Sequence, residues 1–214
     1  MEVKSLFAHP IGEVTLDYDN AKLVNDVLQA KDNIKLEIDW DCEVTSSFRE
    51  KELNDKVMCE HVDLLEQVTD AGNNFLNKVG WCNADRNYVP VDWWFNLYEN
   101  EHWQEAHHHG VHDLCAIYYA TPDLTPTAFI NPNDYTFHSR YQKNEHLTPF
   151  TTVEYRTTPQ PGKLVLFPGY MKHRVPAMQQ NYDQRRMTLA FNFAINNGNN
   201  AVRLQKLLDI SKEV

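Results

Sequence analysis

Residues 106–113 read AHHHGVHD, four histidines and an aspartate within eight positions. Histidine supplies a neutral nitrogen donor and is the commonest metal ligand in proteins. If this stretch continues a strand, side chains alternate, so His107 and His109 share a face with their Cα atoms about 6.6–7 Å apart. Two imidazoles at that spacing can converge on one metal at nitrogen distances near about 2.1 Å. His108 points to the opposite face and is set aside as a ligand. Gly110 turns the chain, so alternation does not fix the direction of His112. A second feature completes the set: in PGKLVLFPGYMKHRV, residues 161–175, a turn at Pro161-Gly162 leads into an apolar strand ending at Pro168, and His173 follows five residues later. A pair on one strand and a third histidine on a later one make a facial three-ligand site with coordination positions left open for substrate.

The segment RRMTLAFNFAIN, residues 185–196, adds an anion-binding element. Alternation puts Met187, Leu189, Phe191 and Phe193 on an apolar face and Arg186, Thr188, Ala190 and Asn192 on the other. An arginine and a hydroxyl two residues apart beside a small alanine form a cationic pocket suited to a carboxylate, which guanidinium binds through two parallel hydrogen bonds. A structural ion pair is the alternative use of Arg186. Arg185 falls on the apolar face at the strand's start, where it reaches solvent. Asn96 and Tyr118 stand on neighbouring strands with polar tips able to reach the cosubstrate, although Tyr118 and Tyr119 serve equally well as core.

These groups need a rigid frame, and the pattern after Pro90 supplies one. Residues 91–99, 113–120, 127–131, 151–157, 162–168, 173–178 and 185–196 are short, aromatic or β-branched and separated by Pro, Gly, Asn or Asp, which predicts a β-sandwich or barrel. The stretch 132–149 is long for a hairpin connection and carries aromatic and basic groups, so it reads either as a lid or as a disordered insertion. Trp93, Trp94, Trp103, Tyr135 and Phe137 could stack a substrate ring, but tryptophans in a barrel more often build core. Before Pro90 the pattern is helical. NAKLVNDVLQA, residues 20–30, starts at an N-cap, Asn20, and aligns Leu23, Val24, Val27 and Leu28. From Glu50 to about Leu76 a longer helix is expected, interrupted near Ala71-Gly72.

The chain of 214 residues, 42% hydrophobic, can bury one sizeable core, so one domain is expected, with helical support mainly in 1–89 and a barrel over about 90–196. A formal net charge of −10 argues against nucleic-acid and anionic-membrane partners, which are bound through excess Lys and Arg. The four cysteines, Cys42, Cys59, Cys82 and Cys115, form no CxxC pair and read as reduced thiols. The start, MEVKSLFAHPIGEV, lacks an apolar run of signal-peptide length, and no stretch nears the roughly 20 apolar residues of a membrane span. The expectation is a soluble cytoplasmic protein.

Taken together, WFNLYENEHWQEAHHHGVHDLCAIYYA, PGKLVLFPGYMKHRV and RRMTLAFNF resemble, in order and approximate spacing, the iron(II)- and 2-oxoglutarate-dependent oxygenases common in marine bacteria and cyanophages. The resemblance covers about residues 90–196. It implies a mainly β fold with flanking helices around a double-stranded β-helix core of the jelly-roll, cupin-like kind. It also implies iron(II) held by His107, His109 and His173, and 2-oxoglutarate held at its distal carboxylate by Arg186 and Thr188 in the manner of an RxS motif. The reaction implied is oxidative decarboxylation of 2-oxoglutarate by O2 coupled to hydroxylation of an unidentified primary substrate, in the host cytoplasm if the gene is a phage's. One departure stands out. The wider superfamily uses two histidines and a carboxylate, whereas His109 occupies the carboxylate's position; Asp113 could serve instead if the turn at Gly110 brings it back. Two rivals remain at this level: a cupin-type metalloenzyme that does not use 2-oxoglutarate, for which Arg186 with Thr188 would be unnecessary, and a non-catalytic β-sandwich binding module with incidental histidines.

Overall fold

The computed structural model describes residues 9–36, 39–81, 87–99, 101–122, 125–132, 153–177, 185–197 and 202–210. Among these residues there are ten strands: β1 (Gly12–Thr15), β2 (Thr45–Ser46), β3 (Tyr88–Tyr98), β4 (Gln104–His107), β5 (Leu114–Tyr119), β6 (Ala128–Ile130), β7 (Glu154–Arg156), β8 (Lys163–Pro168), β9 (His173–Val175) and β10 (Arg186–Ile195). The α-helices are α1 (Asn20–Ala30), α2 (Lys51–Met58), α3 (Val62–Lys78) and α4 (Val202–Ile210). Six of the seven segments read as strands contain one, and the seventh, 91–99, overlaps β3, which begins earlier, at Tyr88. The strands form two antiparallel sheets, one ordered β1-β8-β5-β10-β3-β2 and the other β4-β9-β6-β7.

Both faces of the six-stranded sheet are buried along its central strands β3, β5, β8 and β10, and the alternation of each sorts its residues between them. One face, with Met187, Leu189, Phe191 and Phe193 of β10, Leu114, Ala116 and Tyr118 of β5 and Phe95 and Leu97 of β3, packs under the helices against Leu23, Val27, Leu64, Leu65 and Val68. The other face meets the four-stranded sheet. There Cys115, Ile117, Tyr119, Val165 and Phe167 pack with Phe129 of β6, whose ring lies 4.8 Å from that of Phe167. Pro90 is tolerated inside the long strand β3 because it sits at a bulge: Asp92 pairs with Asn192 but Pro90 with Phe193, leaving Val91 as the extra residue.

Two sequence expectations about the helices are corrected. The N-cap of α1 is Asp19, not Asn20: its Oδ1 accepts from the backbone N–H groups of Ala21 and Lys22 at 3.0 and 3.3 Å. The expected helix over 50–76 breaks at residues 59–61, a 3-10 turn, and runs uninterrupted through Gly72. At the break the buried His61 ring reaches back to α1, 2.6 Å from the Tyr18 hydroxyl and 3.0 Å from Asp26. Gly72 is there for proximity: a Cβ would lie 2.6 Å from Cε1 of Phe193, a fully buried side chain. Alanine would add about 1 kcal/mol of helix propensity, against about 1–3 kcal/mol of overpacking where the neighbour cannot yield. We expect Gly72→Ala to lower stability by up to about 2 kcal/mol, read as a lower denaturant midpoint at unchanged slope.

Candidate active site

His107 closes β4 and His173 opens β9, and the two are paired across the ladder. Gln104 pairs with Val175, so two residues of β4 face one of β9 in between. This bulge turns both Gln104 and His107 toward the inter-sheet pocket, where simple alternation would separate them. His109 lies beyond the end of β4. A turn aims it: its N–H donates to Gly169 O at 2.7 Å and its carbonyl accepts from His112 N at 2.9 Å. Gly169 permits that approach, since a Cβ there would lie 2.0 Å from His112 O and 2.9 Å from His109 O. The three rings gather with centroids 4.3 Å (His107–His173), 5.2 Å (His109–His173) and 5.4 Å (His107–His109) apart. One ligand nitrogen from each lies within 4.8 Å of the others.

Every Nδ1 in this group faces an acceptor. That of His107 is 2.9 Å from Glu105 O, that of His173 3.0 Å from Met171 O, and that of His109 2.6 Å from Asn192 Oδ1. The proton belongs on Nδ1 in each, leaving the Nε2 lone pair for a metal. Burial disfavours the imidazolium form throughout: His107 is lowered, His173 lies well below the ordinary value, and His109 is lowered to about 4 by burial, against the opposing pull of Asn192. The site therefore offers three neutral donors near pH 7, as metal binding requires. The same shifts link pH to stability. The unfolded chain takes up these protons near pH 6.5, while folded His109 resists until about pH 4. Stability is thus full above about pH 6.5 and is lost as pH falls through that window. A thermal melt of metal-free protein is expected to show a falling midpoint from pH 7 to 4.5.

The pocket, about 330 Å³ with its mouth included, extends from the three histidines to Arg186. Arg186 is 1% exposed on the pocket face of β10. Its guanidinium lies 4.5 Å from the Tyr98 ring centroid and 5.4 Å from that of Tyr119. Nε donates to Thr125 O at 3.2 Å and Nη2 to Thr127 Oγ1 at 3.1 Å. Thr188 shares the face and the pocket, and Asn96 stands opposite it in register on β3. Asn96 Oδ1 is buried with no hydrogen-bond partner among the described residues, as is the indole nitrogen of Trp94, another lining residue. Unmatched buried polar atoms cost about 1–3 kcal/mol each, so this lining suits a polar ligand.

Tyr118 does not reach this pocket. Cys115, Ile117 and Tyr119 take the inner face of β5, so Tyr118 points to the helices and its hydroxyl donates to Asn20 Oδ1 at 2.7 Å. Asp113 is not gathered with the histidines either. It is exposed, one residue before β5 begins, and lines a separate surface cleft with Trp81, His112 and Tyr170. His108 is exposed, and Arg185 pairs with Glu99 at 3.3 Å on the surface. Trp93 belongs to the helix-facing core, and Trp103 bridges to Glu43. Tyr135, Phe137 and the remainder of the expected lid after Pro132 lie outside the described residues. Gln104, Tyr98, Thr127 and Asn192 are site residues to which sequence reasoning gave no role; for Asn192 the signal was present, since it shares the strand face of Arg186 and Thr188.

Residues 92–192 match the model of the family described as "Putative 2OG-Fe(II) oxygenase". That range holds the three histidines, Asn96, Arg186 and Thr188. Over this range, somewhat under half of the chain, the sequence is similar to that family. The matched description is that of oxidoreductases working with iron(II) and 2-oxoglutarate. Among solved structures, AviO1 from Streptomyces viridochromogenes Tue57 is similar at 12% identity, with 87% of this chain and 90% of that one covered and a TM-score of 0.58. HygX from Streptomyces hygroscopicus, solved with nickel and 2-oxoglutarate, gives 7% identity, 87% and 83% coverage and 0.55. A Pseudomonas putida prolyl-4-hydroxylase gives 15%, 90% and 96% coverage and 0.52. At such identities the likeness is one of fold, the double-stranded β-helix. No curated protein sequence matches the chain. None of its described helices is long and apolar enough to cross a membrane.

Proposed function

We propose that the protein is a 2OG-Fe(II) oxygenase that hydroxylates a C–H bond of a second substrate, with His107, His109 and His173 holding iron(II) and Arg186 with Thr188 holding the distal carboxylate of 2-oxoglutarate. The observation that carries this reading is that one pocket is bounded at one end by three imidazoles with free Nε2 lone pairs and at the other by a buried guanidinium. The donor set fits a divalent metal, being neutral, nitrogen-based and open on the pocket side. When bound, iron(II) would couple the two-electron oxidation of 2-oxoglutarate to succinate and CO2 with the two-electron oxidation of the substrate C–H bond, one atom of O2 entering succinate and the other the new hydroxyl.

The chain's own residues orient and shield. Arg186 offers parallel N–H donors to a carboxylate, and the flanking Tyr98 and Tyr119 rings, with Thr125 O and Thr127 Oγ1, fix its plane. The Thr188 hydroxyl and the Asn96 amide add polar contacts on the same wall. Phe129, Phe167 and Ile117 keep the inner end apolar, which strengthens charge recognition by excluding water. Three neutral imidazoles leave the centre one charge more positive than a carboxylate-containing triad, which favours an anionic 2-oxo acid. The whole chain would then act as one catalytic domain, cytoplasmic and without a nucleic-acid partner, its −10 charge being unsuited to a phosphate backbone. A succinate-formation assay tests the reading: with iron(II), air and 2-oxoglutarate the protein should form succinate slowly even without primary substrate, and omission of iron should stop it. Tight iron binding with no binding or turnover of 2-oxoglutarate would point to a cupin-type metalloenzyme instead.

A further inference from the structure

Asn192 ends the pocket-facing row of β10, 4% exposed, and touches two groups through one atom. Its Oδ1 lies 2.6 Å from His109 Nδ1 and 3.2 Å from Cys115 Sγ. His107 and His173 rest their Nδ1 atoms on backbone carbonyls; among the three, His109 alone is oriented by a side chain. From this geometry we propose that Asn192 is a positioning residue that holds His109 in the tautomer with its proton on Nδ1 and its Nε2 free for a metal, and that Cys115 determines which amide atom does so. The proposal rests on the three-histidine reading of the metal centre.

The chemistry needs such a device at this position. A carboxylate has no tautomers, so a metal centre with one there needs no proton control. A histidine can present either a lone pair or an N–H, and a primary amide beside it can impose either. With its NH2 group toward Nδ1, Asn192 would draw the lone pair there and leave a proton on Nε2, blocking the metal. Cys115 removes the ambiguity. Its side chain is fully buried, and burial pushes its thiol far above the ordinary value, so it keeps its proton and can donate. The atom between the S–H and His109 is then an acceptor, the amide oxygen. The pairing of Asn192 with Cys115 across β10 and β5 makes this contact part of the sheet register.

The test uses metal-free and cobalt(II)-titrated protein. In the wild type, 15N chemical shifts of the His109 ring should report a proton on Nδ1 and none on Nε2. Asn192→Leu should move His109 toward the Nε2–H form and weaken cobalt(II) binding about 10- to 100-fold, the usual cost of losing an outer partner of a metal-bound histidine. Asn192→Asp restores an acceptor and should keep the Nδ1–H form with cobalt affinity at or above the wild-type level. A merely structural role would make the buried aspartate at least as damaging as leucine. Wild-type His109 protonated on Nε2, or an Asn192→Leu variant with unchanged tautomer and affinity, would overturn the proposal. Should the wild type bind no cobalt, the three-histidine reading fails, while the ring shifts still report whether Asn192 sets the tautomer.

Discussion

Replacement of His173 by alanine is expected to abolish tight iron(II) binding, and replacement of His107 to do the same. Each removes one of three converging nitrogens, so the loss should exceed the roughly 10–100-fold that follows loss of an outer partner. The fold should survive, because neither backbone N–H changes partner and the rings of Phe129 and Phe167, 5.6 and 4.8 Å from His173, remain packed on each other. His108→Ala is the control, since that ring is exposed and its Nδ1 only accepts from Gly110 N–H at 3.1 Å. Isothermal titration with iron(II) under anaerobic conditions, beside circular dichroism, separates ligand loss from unfolding. Equal losses for all three histidines would contradict the assignment. The same titration should rank His109→Ala far below Asp113→Ala. The reverse order would give the third position to Asp113.

The second large effect is expected at the other end of the pocket. Arg186→Met keeps most of the side-chain length and deletes the charge. Truncating one member of a buried charge-assisted pair costs about 2–5 kcal/mol, and each 1.4 kcal/mol is tenfold. We expect the apparent constant for 2-oxoglutarate to rise at least about tenfold in the succinate assay while iron affinity is retained, since no donor to the metal has changed. Arg185→Met should stay near wild type, because that side chain is 49% exposed and pairs with Glu99 across the surface. Equal effects at 185 and 186 would reverse the face assignment of β10.

Strand alternation made most of the frame readable. On β10 it separated Arg186, Thr188 and Asn192 from Met187, Leu189, Phe191 and Phe193, as the packing bears out, because polar and apolar residues alternate there without exception until Ala190. On β5 it could not. LCAIYY is buried on both faces, so its sequence carries no sign of which parity faces the pocket, and nothing in it marks Tyr118, the expected cosubstrate contact, as facing the helices. His109 reaches the group of histidines as expected, but through a turn docked on Gly169 instead of a continued strand. Gln104 was hidden by the bulge that shifts its parity relative to His107, a feature created by pairing with β9 and not encoded locally. The break at 59–61 in place of 71–72 has a similar origin: Gly72 answers to Phe193, more than a hundred positions away.

Iron at His107, His109 and His173 and 2-oxoglutarate at Arg186 are expected to share one pocket. Anaerobic titration of the metal-free protein with iron(II), with and without 2-oxoglutarate, followed by visible absorption, tests it most directly. A charge-transfer band that appears only when both are present, and that needs a higher 2-oxoglutarate concentration in Arg186→Met, is the predicted result. No band and no binding of 2-oxoglutarate to the iron-loaded protein at millimolar concentration would contradict it.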